Sequence, residues 1–211
     1  MTDIDRLVEE LARDTAPVRP APHPFRVSLQ WLAGAAAYVA VSLLVSGPRP
    51  DLAAKLHQPW FVAELLSLLL LVITSALSAA LLAFPDLHQK RPAAFAPIGS
   101  FVLFVAVLFF AWRADTPPAP LPLHSIECTL SIALLAVLPA AAAFIAMRRF
   151  ASTHPRFAGS TALLFAFGVS ALWLRLHEVN DSVLHVIDWH YLPMLAAGMA
   201  GLAVGRRFLR W

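Results

Sequence analysis

The sequence predicts an all-α polytopic membrane protein with six transmembrane helices, both termini cytoplasmic, and a short amphipathic helix ahead of the first span. Three observations carry this. The 211 residues are 59% hydrophobic and only 14% charged, with a mean hydropathy of +0.70, where an ordinary soluble domain carries roughly 25% charged residues. Six apolar stretches, about 25–46, 60–84, 93–112, 126–147, 157–174 and 189–208, each approach the roughly 20 residues needed to cross the hydrocarbon core. Lys and Arg are also shared unequally between the two sets of loops. The chain divides into a cytoplasmic head and linker, 1–24, and a membrane domain, 25–211.

The head comes first. Residues 2–14 place Ile4, Leu7, Val8 and Leu11 at i, i+3, i+4 and i+7, the period of an amphipathic helix. Thr2 and Asp5 fit a capping box, and Arg6 with Glu10 and Glu9 with Arg13 are i,i+4 pairs. Pro17, Pro20, Pro22 and Pro24 then predict an extended tether, and about ten such residues span roughly 30 Å. Three destinations are open to this helix: the inner leaflet, the loops of its own bundle, or a groove on a soluble partner. The leaflet is disfavoured, because Asp3, Asp5, Glu9, Glu10 and Asp14 outnumber the two arginines and surface-seeking helices carry a basic polar face. A helix of about a dozen residues is marginal alone in water, so it needs a surface.

The spans follow from the charge pattern. With the N-terminus inside, twelve of the sixteen Lys and Arg fall on the cytoplasmic side, and Arg49, Lys55, Arg113 and Arg175 fall outside. The bias persists without the head, which gives an N-in, C-in topology. Trp60, Trp112, Trp173 and Trp189 lie near outer ends and Trp211 near an inner end, as in an interfacial belt. An acidic segment before the first span, with five spans after it, argues against a cleavable signal peptide. Despite a net charge of +3, the basic residues mark helix ends without forming a stripe. They predict contact with membrane lipid and no direct nucleic-acid binding.

Within the spans, polar chemistry is sparse. Glu64 lies about one turn from Trp60 and is expected at the interface. Gln30 and the scattered Ser and Thr are expected to bond to helix carbonyls, and no span pairs two histidines near its middle, as a membrane cytochrome would require. A small-solute transporter would need polar groups at mid-depth. That class, or a structural subunit of a membrane complex, is the alternative reading. Pro139 predicts a kink in the fourth span, and Gly201 and Gly205 form a GxxxG read as packing inside the bundle. Ser160 lies at an inner end and His190 at an outer one, beyond the hydrogen-bond reach a Ser–His pair needs. With no P-loop and no dinucleotide fingerprint either, no enzyme is predicted.

The outer loops, 47–59, 113–125 and 175–188, collect the unusual residues. His57, His124, His177, His185 and His190 lie at or near this side with Glu127, Glu178, Asp181 and Asp188, and the single cysteine, Cys128, begins the fourth span. Thiolate, imidazole and carboxylate suit a transition-metal ion. Cys128, His124, His177, Glu178, His185 and His190 are therefore candidate sensing or metal-binding residues. No CxxC or HExxH sets their spacing, and a wet polar interface would give the same composition. One cysteine makes no intramolecular disulfide.

Several segments, in order, carry a likeness. They are Asp3, Leu7, Leu11 and Val18-Arg19; Arg49-Pro50-Asp51-Leu52; Cys128 to Pro139; Asp181-Ser182 with Trp189-His190; and Gly205 to Trp211. In these the chain resembles the NrsF family of six-span membrane anti-sigma factors. The resemblance implies a non-enzymatic protein of the bacterial inner membrane. It would hold an extracytoplasmic-function sigma factor inactive until an envelope or metal stress is sensed. Joined to the pattern of the head, this makes Ile4, Leu7, Val8 and Leu11 the expected sigma-binding residues, with release on a periplasmic metal or oxidative signal. It also implies paired outer cysteines, the first matching Cys128. At the second position, after His177, this chain has Glu178, so a dithiol switch lacks its second thiol.

Overall fold

The structure, a computed structural model, describes residues 3–13, 21–85, 91–114 and 125–210, all helices, turns and connections without a strand among them. The head helix α1 spans Asp3–Arg13. It is followed by α2 (Pro24–Ser46), a short α3 (Leu52–Lys55), α4 (Pro59–Leu82), a short α5 (Arg91–Ala94) and α6 (Ala96–Ala114). Then come α7 (Ile126–Met147), α8 (Pro155–His177) and a final helical run made of α9 (Val183–Val186), a π-helical turn (Ile187–Tyr191) and α10 (Leu192–Phe208). By length and composition α2, α4, α6, α7 and α8 are each able to cross a membrane. The last predicted span corresponds to the 17 residues of α10, extended at its N-terminal end by the π turn.

α4 and α8 form the centre of the bundle, and α2, α6, α7 and α10 pack around them. Both are rich in small residues: Ser75, Ala76, Ser78 and Ala79 of α4 and Ala158, Ala162 and Ala166 of α8 are fully or almost fully buried. In a bilayer lipid offers no less apolar surface than a neighbouring helix, so association relies on close packing and on polar bonds between helices. The closest approach is between α8 and α10. A Cβ placed on Gly201 would lie 2.5 Å from the Gly159 carbonyl oxygen, and one on Gly205 would strike the Pro155 carbonyl. The GxxxG thus serves packing within the bundle. Large apolar side chains such as Leu44, Val45, Leu134 and Val102 point outward, the surface a hydrocarbon solvent requires.

Several hydroxyls reach across the bundle instead of bonding within their own helices. Two of these bonds repair prolines. Pro139 has no N–H for the carbonyl of Leu135 four residues earlier, and Tyr38 of α2 donates its hydroxyl to that oxygen at 3.1 Å. Pro193 likewise has no N–H for the Trp189 carbonyl four residues earlier, and Thr129 of α7 donates to that oxygen at 2.9 Å. Ser160 Oγ donates to the Gly198 carbonyl at 2.8 Å, so it is engaged in packing far from His190.

Some boundaries differ from the sequence reading. Pro24 is the first residue of α2 and not the end of the linker: His23 caps that helix, its Nδ1 accepting from the Phe25 amide, and proline suits a first helical position. The fifth span runs on to His177 because Arg175 is buried and paired. Trp173 is no belt residue; it is buried, stacks on His177 and donates to Ser46 Oγ at 3.2 Å. Thr2 and the Pro17 and Pro20 part of the linker lie outside the described residues.

Candidate functional site

The end of the bundle where α2 finishes and α4 begins is built on a charge network that joins the α2–α4 and α8–α9 connections. Gly47 ends α2 with φ 81°, a left-handed conformation glycine adopts without strain. That turn is held from α8, where His177 Nδ1 bonds the Gly47 carbonyl oxygen at 2.7 Å and the Leu176 carbonyl accepts the Arg49 amide at 2.9 Å. Arg49 is thereby turned inward and is 2% exposed. Its guanidinium donates to both oxygens of Asp51 at 2.7 and 3.0 Å, to both oxygens of Asp181 at 2.9 and 2.8 Å, and to the Val179 carbonyl.

A second arginine completes the network. Arg175 of α8 donates to Glu64 of α4 through Nε and Nη2, at 2.8 and 3.1 Å, and to Asp181 at 3.0 Å. Tyr191 donates its hydroxyl to Glu64, and Lys55 reaches Asp181 at 2.6 Å. Phe61 lies under both guanidinium groups, 5.4 Å from Arg49 and 4.7 Å from Arg175, a cation–π arrangement. Three carboxylates thus face three cations, so the network is neutral. Burial alone would raise the Asp181 carboxyl, but hydrogen bonds from Arg49 and Lys55 and the charge of Arg175 hold it far below the usual carboxylate range. The bond to Asp181 raises Arg49, and Arg49 lowers Asp51.

This corrects the expectation for Glu64. It is 6% exposed and bonded to two buried side chains, because a carboxylate at the edge of a span can be covered by protein when a guanidinium from the adjacent helix is there to match it.

Beside the network lies the Cys–His cluster. Cys128, in the first turn of α7, has its sulfur 3.8 Å from His185 Nε2 and 3.9 Å from Glu178 Oε2. One ligand atom from each of Cys128, His185 and His190 lies within 4.8 Å of the others. The π turn makes this meeting: its wider winding brings residues five apart to one side, and His185 and His190 are five apart, ring centroids at 5.3 Å. Both histidines are buried. His185 Nδ1 and both ring nitrogens of His190 have no hydrogen-bond partner in the protein. Burial pushes the His185 imidazole below its ordinary value, toward the neutral form that ligates metals.

Of the six predicted sensing residues, Cys128, Glu178, His185 and His190 are therefore brought together. His177 is not; it is used at Gly47 and Trp173. His124 lies outside the described residues. The residues missed from sequence are Arg49, Glu64, Arg175 and Tyr191, and the signal available was the Arg-Pro-Asp that follows α2.

At the other end of the chain, α1 keeps its apolar stripe uncovered. Ile4, Leu7, Val8 and Leu11 are between 57% and 72% exposed, and Arg13 pairs with Glu9 at 2.8 Å on the polar side.

Comparison with known proteins adds to this geometry. A family model described as "Negative regulator of sigma F" matches residues 11–211. The chain is similar to the anti-sigma-F factor NrsF of Caulobacter vibrioides, 32% identical over 218 aligned positions, with 98% of this chain and 99% of that one covered. It is also similar to the probable anti-sigma-F factor NrsF of Azospira oryzae, 36% identical over 85 positions, 40% of each chain. No solved structure matches.

Proposed function

The chain belongs to the NrsF family of negative regulators of sigma F, and from that premise we propose that it is a membrane-bound anti-sigma factor. In this reading it tethers an extracytoplasmic-function sigma factor at the cytoplasmic face of the bacterial inner membrane. The head helix is the sigma-binding element, and a metal or oxidative signal at the periplasmic end releases the sigma factor.

The observation that carries this reading is the uncovered stripe of α1. A helix whose four large apolar residues all face water gains nothing from its own bundle, and it has the form of a ligand for a hydrophobic groove. Its excess of acidic side chains disfavours the anionic lipid surface beside it. The N-in, C-in reading with six spans is supported by Arg148, Arg149, Arg156, Arg206, Arg207 and Arg210, which lie at the bundle end where α2 begins. The two grooves along α2, about 260 and 430 Å³, are lined almost entirely by apolar side chains. They lack the mid-depth polar groups a solute carrier uses.

The test is removal of residues 1–20, which leaves His23 to cap α2 and the rest of the chain intact. A truncated protein that stays in the membrane but no longer represses a sigma-dependent reporter supports the reading. One that still represses excludes the head as the binding element.

A further inference from the structure

We propose that Cys128, His185 and His190, with Glu178 as the fourth ligand, form a binding site for one divalent cation of the zinc class. The regulatory meaning of such a site rests on the anti-sigma reading. The binding itself does not, and it is testable without a sigma factor.

Three observations converge. The first is unsatisfied polarity: His190 is 0% exposed with neither ring nitrogen bonded, and His185 is 1% exposed with its Nδ1 unbonded. A buried polar group left unpaired is costly and rare in folded proteins, so two such rings side by side require an explanation. Their planes stand 78° apart, so the rings do not stack on each other. A cation would take up lone pairs that nothing else in the protein uses.

The second is geometry. Around a tetrahedral centre bound at about 2.0–2.3 Å, neighbouring ligand atoms lie about 3.3–3.6 Å apart. The sulfur is 3.8 Å from His185 Nε2 and 3.9 Å from Glu178 Oε2, and the widest Cys–His spacing is within 4.8 Å. For the thiol and the two imidazoles, closing on a cation therefore needs shifts of roughly 1 Å, and Glu178 joins from the side of the sulfur. The ligands come from three elements, the start of α7, the end of α8 and the α9–π run, so closure would draw these together.

The third is donor chemistry. One thiolate, two imidazoles and one carboxylate favour zinc, cadmium or cobalt over magnesium or calcium. Binding is coordination, with no oxidation: the Cys128 thiol loses its proton to buffer, the sulfur forms one bond to the cation, and no electron is transferred. A chain with a single cysteine can work this way, whereas it has no second thiol with which to close an intramolecular disulfide.

The experiment uses the full chain purified in detergent with cobalt(II) alone as probe. One cobalt per chain is expected, with a thiolate-to-cobalt charge-transfer band and the intense visible bands of tetrahedral cobalt. Cys128→Ser should abolish the charge-transfer band. His185→Gln and His190→Gln should each weaken binding at least about tenfold, a loss that even supporting residues around a metal produce, while His177→Gln should leave it unchanged. Because the buried histidine variants can misfold, the unaltered chain supplies a second measurement: one equivalent of zinc should slow alkylation of Cys128 at least about tenfold, and chelation should reverse this. Absence of the charge-transfer band, equal cobalt affinity in Cys128→Ser, or alkylation indifferent to zinc would each overturn the proposal. A chain that takes cobalt yet still represses without its head keeps the site and loses the head assignment. A chain that needs its head but takes no cobalt does the reverse.

Discussion

Arg175 and Glu64 are 111 residues apart and meet through two hydrogen bonds, 2.8 and 3.1 Å long, with both side chains less than a tenth exposed. Neither can be altered alone without leaving a buried group unmatched.

Glu64→Gln should therefore destabilise the bundle by about 3–5 kcal/mol, the scale for breaking a buried pair from one side, and lower the midpoint of thermal unfolding in detergent. Replacing both partners together, Glu64→Leu with Arg175→Met, should recover part of the loss, since no buried charge is then left without its partner, while Tyr191 loses its acceptor and Asp181 one of its three cations. A double variant no better than the single one would mean that the network, and not the pair, sets the stability.

The network should withstand acid. Asp181 has its carboxyl held below the ordinary range by Arg49, Lys55 and Arg175. A depressed carboxylate contributes stability that is fully present above its unfolded value, near 3.9, and is lost as pH falls through the folded value. The penalty of Asp181→Asn on thermal stability should accordingly be equal at pH 7 and pH 5. A penalty that shrinks over this interval would contradict the assignment.

Gly201→Val should force α8 and α10 apart, because backbone atoms of Gly159 and Ser160 occupy the space of its side chain. Overpacking costs typically about 1–3 kcal/mol, and rigid backbone places this site at the upper end. Unfolding temperature should fall with no change in oligomeric state. Loss of a dimer at unchanged stability would instead assign the GxxxG to contact between chains.

Leu7→Asp and Leu11→Asp should each cost about 2 kcal/mol in sigma binding, the scale of an anchoring residue, and raise reporter expression. Membrane insertion and thermal stability should stay as in the parent, since both side chains are exposed. A matching fall in stability would show that α1 packs on its own bundle.

How much of this was legible depended on distance along the chain. Local periodicity reveals the head stripe of Ile4, Leu7, Val8 and Leu11, run length reveals the membrane helices, and Gly201 with Gly205 reveals a close approach. Pairing across long separations left no such trace. Glu64 looks like any carboxylate near an interfacial Trp until α8 brings Arg175 to it. His177 and His185 are equivalent candidates by type, and only the fold sends one to the Gly47 carbonyl and the other to Cys128. The π turn was hidden for a related reason: its benefit, bringing His185 and His190 to one side, appears only when α7 is in place. Pro193, which withholds an N–H four residues after Trp189, was the one local mark of irregular winding there.

The contact between α8 and α10 has a mechanical consequence. Where Gly159 faces Gly201 and Gly205 the two backbones touch with no side chain between them, which leaves the helices little freedom to slide or roll there. Beyond that contact one end of the pair holds His190 and Arg175, and the other holds Arg156 and Arg206. A tilt begun at either end would carry both helices with it, α8 and α10 moving as a single lever.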